Sequence, residues 1–384
     1  MAQVSARVTG QLREQLTALP PMDLPRRVAR LRDKLGEAGC EALLVSDLVN
    51  VRYLTGFSGS AGLLLVKEDE AVLVTDGRYK DQAQKELAKF GAEARCVALK
   101  AQQQLELLAE LSQGLLRLGL EAEHLSWAKE RRWAEGWAKD LELVATSGLV
   151  EGLRERKDVG EIARIAAAAA IADAALAAVR PMLEEHPTEA EVATVLDAEM
   201  RRLGAEGPAF DTIVAAGPSG AEPHHRPSER RINANDLVVL DFGAKVDGYH
   251  SDMTRSIAVA PGDVDPHLQK IASVVLTSQE AGLCAVRDGV PASEIDRACR
   301  EVIEAAGMGE LFVHGTGHGV GLEIHESPAL AGPSDDILAS GQVVTVEPGV
   351  YVPGLGGSRT EDTVLVTEAG CEVLTMTPKQ TCPV

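Results

Sequence analysis

The chain has 384 residues, too long for one core of usual size and about right for two domains. Hydrophobic residues make up 45% and charged residues 25%, the balance of a soluble globular protein, which sets aside disordered and membrane-embedded classes. The 58 acidic side chains outnumber 38 basic ones, giving a formal charge of -20; this sets aside nucleic acid, whose binding rests on Lys and Arg neutralising phosphates.

The first residues, MAQVSARVTGQLREQL, lack the apolar run of an export signal, so a cytoplasmic protein is expected. Cys40, Cys96, Cys284, Cys299, Cys371 and Cys382 are scattered without a CxxC pair and read as reduced thiols. RVARLRDKLGEAG has the spacing of an amphipathic helix closing at Gly39, EALLVSD reads as a short buried strand, and AGLLLVKEDEAVLVTD as a hairpin. Together these predict an α/β layer. Near Glu151 the pattern breaks into the charged EGLRERKDVGEIARI, a linker that divides the chain into domains 1–155 and 156–384. The alanine-rich run from Ile162 to Leu183 is the best candidate for a membrane span. It carries Arg164, Asp173 and Arg180, and reads instead as a soluble helix. TEAEVATVLDAEMRRLGAE predicts another helix, and two more are expected near Val264–Asp288 and Ser293–Ala306. Strands and glycine-rich turns between them predict an antiparallel α+β layer.

The chemistry concentrates in this second part. DLVVLDFGAKVDGYHSDMTRSIAV reads as two β segments around a turn at Asp247 and Gly248, with Asp241 ending one strand and Asp252 beginning the other. A carboxylate inside VVLDFGA is costly to bury unless a cation or tight hydrogen bonds compensate it. One such Asp would be read as a turn cap; two facing each other would repel unless a cation lay between them. FVHGTGHGVGLEIHE then brings His314, His318 and His325 close together among glycines, the clustering that metal ligation or acid–base work needs. Glu347 in QVVTVEPGVYV and Glu361 in GGSRTEDTVLV complete the candidates. Taken singly, Glu347 is a solvated strand end, and Arg359 with Glu361, two residues apart on one strand face, an ordinary ion pair. Together, four carboxylates and one imidazole form an oxygen-rich set that can share two divalent ions and activate a water between them. Such donors suit Mn, Co or Fe, with Zn also compatible, and no HExxH motif is present.

FDTIVAAGPSGAEPHH, DLVVLDFGAKVDGYHSDMTRSI, HGTGHGVGLEIHE, TVEPGVY and GGSRTEDTV, which together span nearly all of 210–364, resemble a metallopeptidase family. It is the pita-bread family containing Xaa-Pro aminopeptidases, prolidases and methionine aminopeptidases. The resemblance implies an α/β N-terminal domain of creatinase type followed by an α+β pita-bread catalytic domain. It makes Asp241, Asp252, His318, Glu347 and Glu361 the ligands of two divalent ions, most simply Mn. It places His224, His314 and His325 around the substrate, gives Glu347 a proton-shuttling role, and puts Tyr351 and Arg359 where substrate-contacting or supporting residues lie. A metal-free creatinase-type hydrolase or a non-catalytic binding module on the same fold is disfavoured, since all five ligands are present.

SDLVNVRYLTGFSGSAGLLLV and LVTDGRY resemble the proline-specific branch, implying a proline-containing peptide as substrate and a homodimer in which Asp47 and Arg52 help set substrate length. Within that branch YLTGFSGSAG is closer to an Xaa-Pro aminopeptidase. The alternative is an Xaa-Pro dipeptidase, which needs a cation for the substrate carboxylate; Arg359, Arg226 and Arg52 are candidates. One departure stands out: Glu222 precedes Pro223-His224, and His225 replaces the family's glycine, as a modifier of substrate preference or an exposed side chain.

Overall fold

A computed structural model describes residues 2–379, apart from the side chains of 2–9 and of Pro261; Cys382 lies outside the described residues. The chain divides into two compact units, Pro21–Arg154 and Met1–Pro20 together with Glu155–Val384.

In the first unit, the helix Leu24–Leu35 begins where the Asp23 carboxylate accepts from Arg26 N, and it buries Leu24, Val28, Leu31 and Leu35, one face at helical spacing. It stops before Gly39, which takes a φ of 75° as the chain turns into the strand Ala42–Val45. All four residues of that strand are buried, as expected for a strand flanked on both sides. It pairs antiparallel with Gly62–Val66, which forms the expected hairpin with Ala71–Thr75, and parallel with Arg117–Glu121. Parallel outer strands Arg95–Ala98 and Glu142–Thr146 complete a six-stranded mixed sheet. Leu44, Leu65, Val72, Leu108, Leu118 and Trp133 are part of its core. Asp47 caps the helix Leu48–Thr55, which contains Arg52.

The second unit has the expected α+β build. Two helices, Val159–Val179 and Glu189–Leu203, each start on a complete capping box, Asp158 with Glu161 and Thr188 with Glu191. They share a core with the antiparallel strands Ile213–Ala216, Leu237–Phe242 and Met253–Ala258. The stretch Val159–Glu185 is long and apolar enough to cross a membrane, but its helix buries Ile165, Ile171, Leu176 and the alanines between them in this core. Leu12 of the N-terminal helix Ala2–Thr17 lies in the same core, so residues before Pro20 belong with this unit instead of with an N-terminal domain of 1–155. The helices Pro266–Ala285 and Ala292–Ala305 form a second core against Val344, Val346, Val350 and Val364. Three further antiparallel strands, Gly317–Gly319, Val343–Val346 and Asp362–Val366, run side by side in the sheet here. Cys40, Cys96, Cys284, Cys299 and Cys371 are all free thiols.

Candidate metal centre

The two aspartates sit on paired strands. Asp241 lies opposite Thr254 and Asp252 immediately precedes Met253, so pairing of Leu237–Phe242 with Met253–Ala258 brings both to one end of the sheet. The tight turn read from the sequence is a smaller feature between them. Asp247 at φ 46° and Gly248 at φ 83° join Ala244–Val246 to Tyr249–His250, the left-handed pair that a two-residue hairpin turn requires. His318 is the middle residue of Gly317–Gly319, where a Cβ on either glycine would strike the backbone of Thr345 or Ser327; those glycines let the ligand strand press against its neighbours. Glu347 follows Val343–Val346, and Glu361 falls in the break between Gly356–Arg359 and Asp362–Val366.

One cavity of about 480 Å³ is lined by all five predicted ligands and by His224, His314, His325 and Arg359. Phe210, Ile213, Pro223 and Ile324 give it an apolar wall. Tyr351 stands behind the lining, its hydroxyl 2.8 Å from both His314 Nε2 and Arg359 Nη1. Ligand atoms of Asp252, His318 and Glu361 all lie within 4.8 Å of one another. Glu347 joins them through Oε1, 3.3 Å from His318 Nε2. Asp241 is held by Arg359, whose Nη2 donates to its Oδ2 at 2.6 Å.

Two details fit divalent ions. Among the described residues, Asp241 Oδ1 and Glu361 Oε1 are buried side-chain oxygens without a hydrogen-bond partner, a costly arrangement that a cation relieves. The second detail is the tautomer of His318. Its Nδ1 lies 3.0 Å from the Gly319 carbonyl, which only accepts, so Nδ1 carries a hydrogen and Nε2 is the nitrogen turned toward the carboxylates, the atom that a metal ion would take in place of a proton.

Charge crowding shows in the acidities. Burial, reinforced by Glu361, Asp241 and Glu347, pushes the Asp252 carboxyl well above the ordinary carboxylate range, and burial with Glu347 and Asp241 does the same to Glu361. Asp241 is raised by burial against the pull of Arg359. Burial also works to raise Glu347, but His318, Arg359 and His314 outweigh it and draw that group down to about 2. His318 is raised: burial disfavours its charged form, and Glu347 overcomes that. Burial lowers both His314 and His325, favouring their neutral forms.

These directions set how metal stabilisation varies with pH. In metal-free protein the raised groups Asp252, Glu361 and His318 contribute stability that is present below their ordinary pKa values and lost as pH rises through the raised ones. The lowered Glu347 loses its contribution only toward pH 2, outside the working range. A divalent ion held by these groups would displace those protons. The gain in melting temperature on adding metal is therefore expected to grow from pH 5 to pH 8, reaching roughly 5–10 °C at saturation. Thermal melts of chelated and metal-loaded protein across that range would test this, and a gain that stays constant or shrinks would contradict it.

Sequence reasoning missed two supports. Thr254 Oγ1 donates to Glu361 Oε2 at 2.6 Å and accepts from Arg359 Nε at 3.0 Å, while Thr345 Oγ1 donates to Glu347 Oε1 at 3.2 Å and accepts from His318 N. Thr254 stands two residues after Asp252 and Thr345 two residues before Glu347, the strand-type spacing from a candidate carboxylate that was the available signal. His225 is not the exposed side chain that one reading allowed. Its Nε2 lies 2.8 Å from Glu189 Oε2.

Residues 27–156 match the model of the creatinase/prolidase N-terminal domain and residues 163–368 that of metallopeptidase family M24. The fold is similar to that of an Xaa-Pro dipeptidase from Bacillus anthracis, 40% identical with a TM-score of 0.88, covering 94% of this chain and 100% of the other. It is also similar to an X-Pro aminopeptidase from Thermotoga maritima, 35% identical with a TM-score of 0.83, covering 90% and 98%. In sequence, an Xaa-Pro dipeptidase from Pyrococcus furiosus is 36% identical over 93% of this chain and 99% of its own. The chain belongs to metallopeptidase family M24, as a hydrolase with a creatinase-type N-terminal domain and a pita-bread catalytic domain.

Proposed function

We propose that this protein hydrolyses the bond between an N-terminal residue and proline, with dipeptides as preferred substrates and two divalent ions held by Asp241, Asp252, His318, Glu347 and Glu361. The observation that carries the reading is the meeting of Asp252, His318 and Glu361 ligand atoms within 4.8 Å, beside unpartnered oxygens of Asp241 and Glu361. When bound, ions of this kind polarise a carbonyl and turn water into a nucleophile at neutral pH. Four carboxylates and one imidazole favour manganese ahead of cobalt, iron or zinc. The reading keeps the cytoplasmic homodimer implied by the sequence resemblance.

The remaining work falls to side chains. Phe210, Ile213, Pro223 and Ile324 offer an apolar wall to the proline ring. His224, His314 and His325 line the same cavity and are the groups that bind the peptide and meet charge developing on its carbonyl. Glu347, ionised beside His318, is the carboxylate that would take a proton from the attacking water and deliver it to the proline nitrogen as the C–N bond breaks, since that nitrogen has no hydrogen in the peptide.

Substrate length turns on a cation. Arg359 already bonds Asp241, Tyr351 and Thr254. Arg226 is an exposed cation on the cavity lining, which supports it as the group that pairs with a dipeptide's carboxylate. The names of the Bacillus anthracis and Pyrococcus furiosus relatives agree with that length, whereas YLTGFSGSAG and the Thermotoga maritima relative speak for longer peptides.

The test reloads metal-stripped protein with Mn, Co or Zn and compares Ala-Pro, its amide, Ala-Pro-Ala and Ala-Ala. Proline peptides are expected to be cleaved at least about a hundredfold faster than Ala-Ala. Arg226→Ala is expected to raise KM for Ala-Pro about tenfold while leaving the amide nearly unchanged. Equal cleavage of Ala-Ala would refute proline specificity. An Arg226→Ala effect of equal size on acid and amide would refute the dipeptide assignment.

A further inference from the structure

The loop 222–228 brings three consecutive side chains, His224, His225 and Arg226, to the cavity. All three line the cavity, but His224 and Arg226 are exposed while His225 is mostly covered, its side chain 13% exposed. His225 reaches Glu189, the first residue of the helix Glu189–Leu203 and a carboxylate with no exposed surface. Oε1 of Glu189 accepts from Ala216 N at 2.9 Å. Oε2 accepts from Ser228 N at 3.1 Å, from Ser228 Oγ at 2.6 Å and from His225 at 2.8 Å. An ionised carboxylate only accepts, so Nε2 of His225 carries the hydrogen and donates. His225 Nδ1 lies 3.3 Å from the exposed Glu222. On its near side the loop is tied to the site itself: Arg359 Nη1 donates to the Pro223 carbonyl at 3.4 Å.

The segment between Pro223 and Ser228 is therefore fastened at both ends, with one fastening in its middle. Without the middle one, His224 and Arg226 would ride on backbone held by the flanks and by the main-chain bond from His225 N to the Glu222 carbonyl at 3.2 Å, with no side chain anchoring the loop to Glu189. A glycine at 225, as in the resembling family, would leave the Glu189 bond unmade and add backbone freedom.

We propose that His225 is a positioning residue: its bond to Glu189 fixes the direction in which His224 and Arg226 address the substrate. The inference rests on the peptidase reading above. Because displacements near 1 Å at a reacting centre cost up to about a hundredfold, loss of a fastening next to His224 carries a measurable penalty.

The experiment uses the metal-loaded enzyme with Ala-Pro as substrate, and reads kcat, KM, bound metal and melting temperature. His225→Gly is expected to lower kcat/KM about tenfold, with metal content unchanged and a melting temperature close to wild type. His225→Gln, whose amide can donate to Glu189, is expected to return to within about threefold of wild type. In a His224→Ala background the His225→Gly penalty should shrink to less than about threefold, because the group being positioned is gone. Penalties that simply multiply in the double variant would overturn the proposal, as would loss of metal in His225→Gly or wild-type kinetics in that variant. Wild-type protein inert toward Ala-Pro with every metal would withdraw the peptidase reading and this inference with it; an active wild type indifferent to residue 225 would sink this inference alone.

Discussion

Asp252→Ala is expected to lower turnover of Ala-Pro at least about a thousandfold while yielding a folded protein. Asp252 is one of the three groups whose ligand atoms converge within 4.8 Å, and its Oδ2 lies 3.6 Å from His318 Nε2, so its loss opens the centre of the site. The fold should survive because in metal-free protein this carboxylate is a source of repulsion: burial and the charges of Glu361, Asp241 and Glu347 all act against its ionised form. Two melting curves separate ligand from scaffold. Metal-free Asp252→Ala should melt no lower than metal-free wild type, whereas adding Mn should raise wild type and leave the variant nearly unmoved. A variant that keeps wild-type turnover, or gains as much from metal as wild type, would remove Asp252 from the ligand set.

Much of this site was legible in the sequence because its side chains fall at irregularities of otherwise regular strand patterns. Asp241 interrupts an apolar run, Glu347 stands before Pro348, and His318 sits between two glycines. Each of those local signals has a local cause, namely a charge costly to bury, a strand end, or a close approach of backbones. What was not legible depended on long-range pairing. The sequence suggested that Asp241 and Asp252 face each other across a short turn, yet Asp241 lies opposite Thr254, and the short turn belongs to the inner pair Ala244–Val246 and Tyr249–His250. Glu189 lies 36 positions before His225, at a helix start where a carboxylate is ordinarily read as complementing the helix dipole. Nothing in local pattern shows that it also receives a loop. The same limit applies to Leu12: an amphipathic N-terminal helix shows which face is buried and not which core receives it.

The second large effect is expected at Arg359. This guanidinium is 3% exposed and makes bonds in different directions: Nη2 to Asp241, Nη1 to Tyr351 and Nε to Thr254, which in turn bonds Glu361. Burial would lower its pKa, but Tyr351, Asp241, Glu347 and Glu361 together hold it well above its ordinary value, so it is permanently charged. It is the fixed cation among four carboxylates, and it orients Asp241 directly and Glu361 through Thr254. Arg359→Met removes the charge, these three bonds and the longer one to the Pro223 carbonyl, and should cost about 3–5 kcal/mol of stability together with at least about a hundredfold in kcat/KM. Arg359→Lys is the sharper variant, because it keeps the charge. A lysine ammonium on a flexible stem cannot reproduce a planar fork that serves Asp241, Tyr351 and Thr254 at once. If orientation matters beyond charge, Arg359→Lys should recover much of the lost melting temperature and little of the lost turnover. Recovery of both would mean that Arg359 acts only by its charge, and that the geometry of its three bonds plays no part in catalysis.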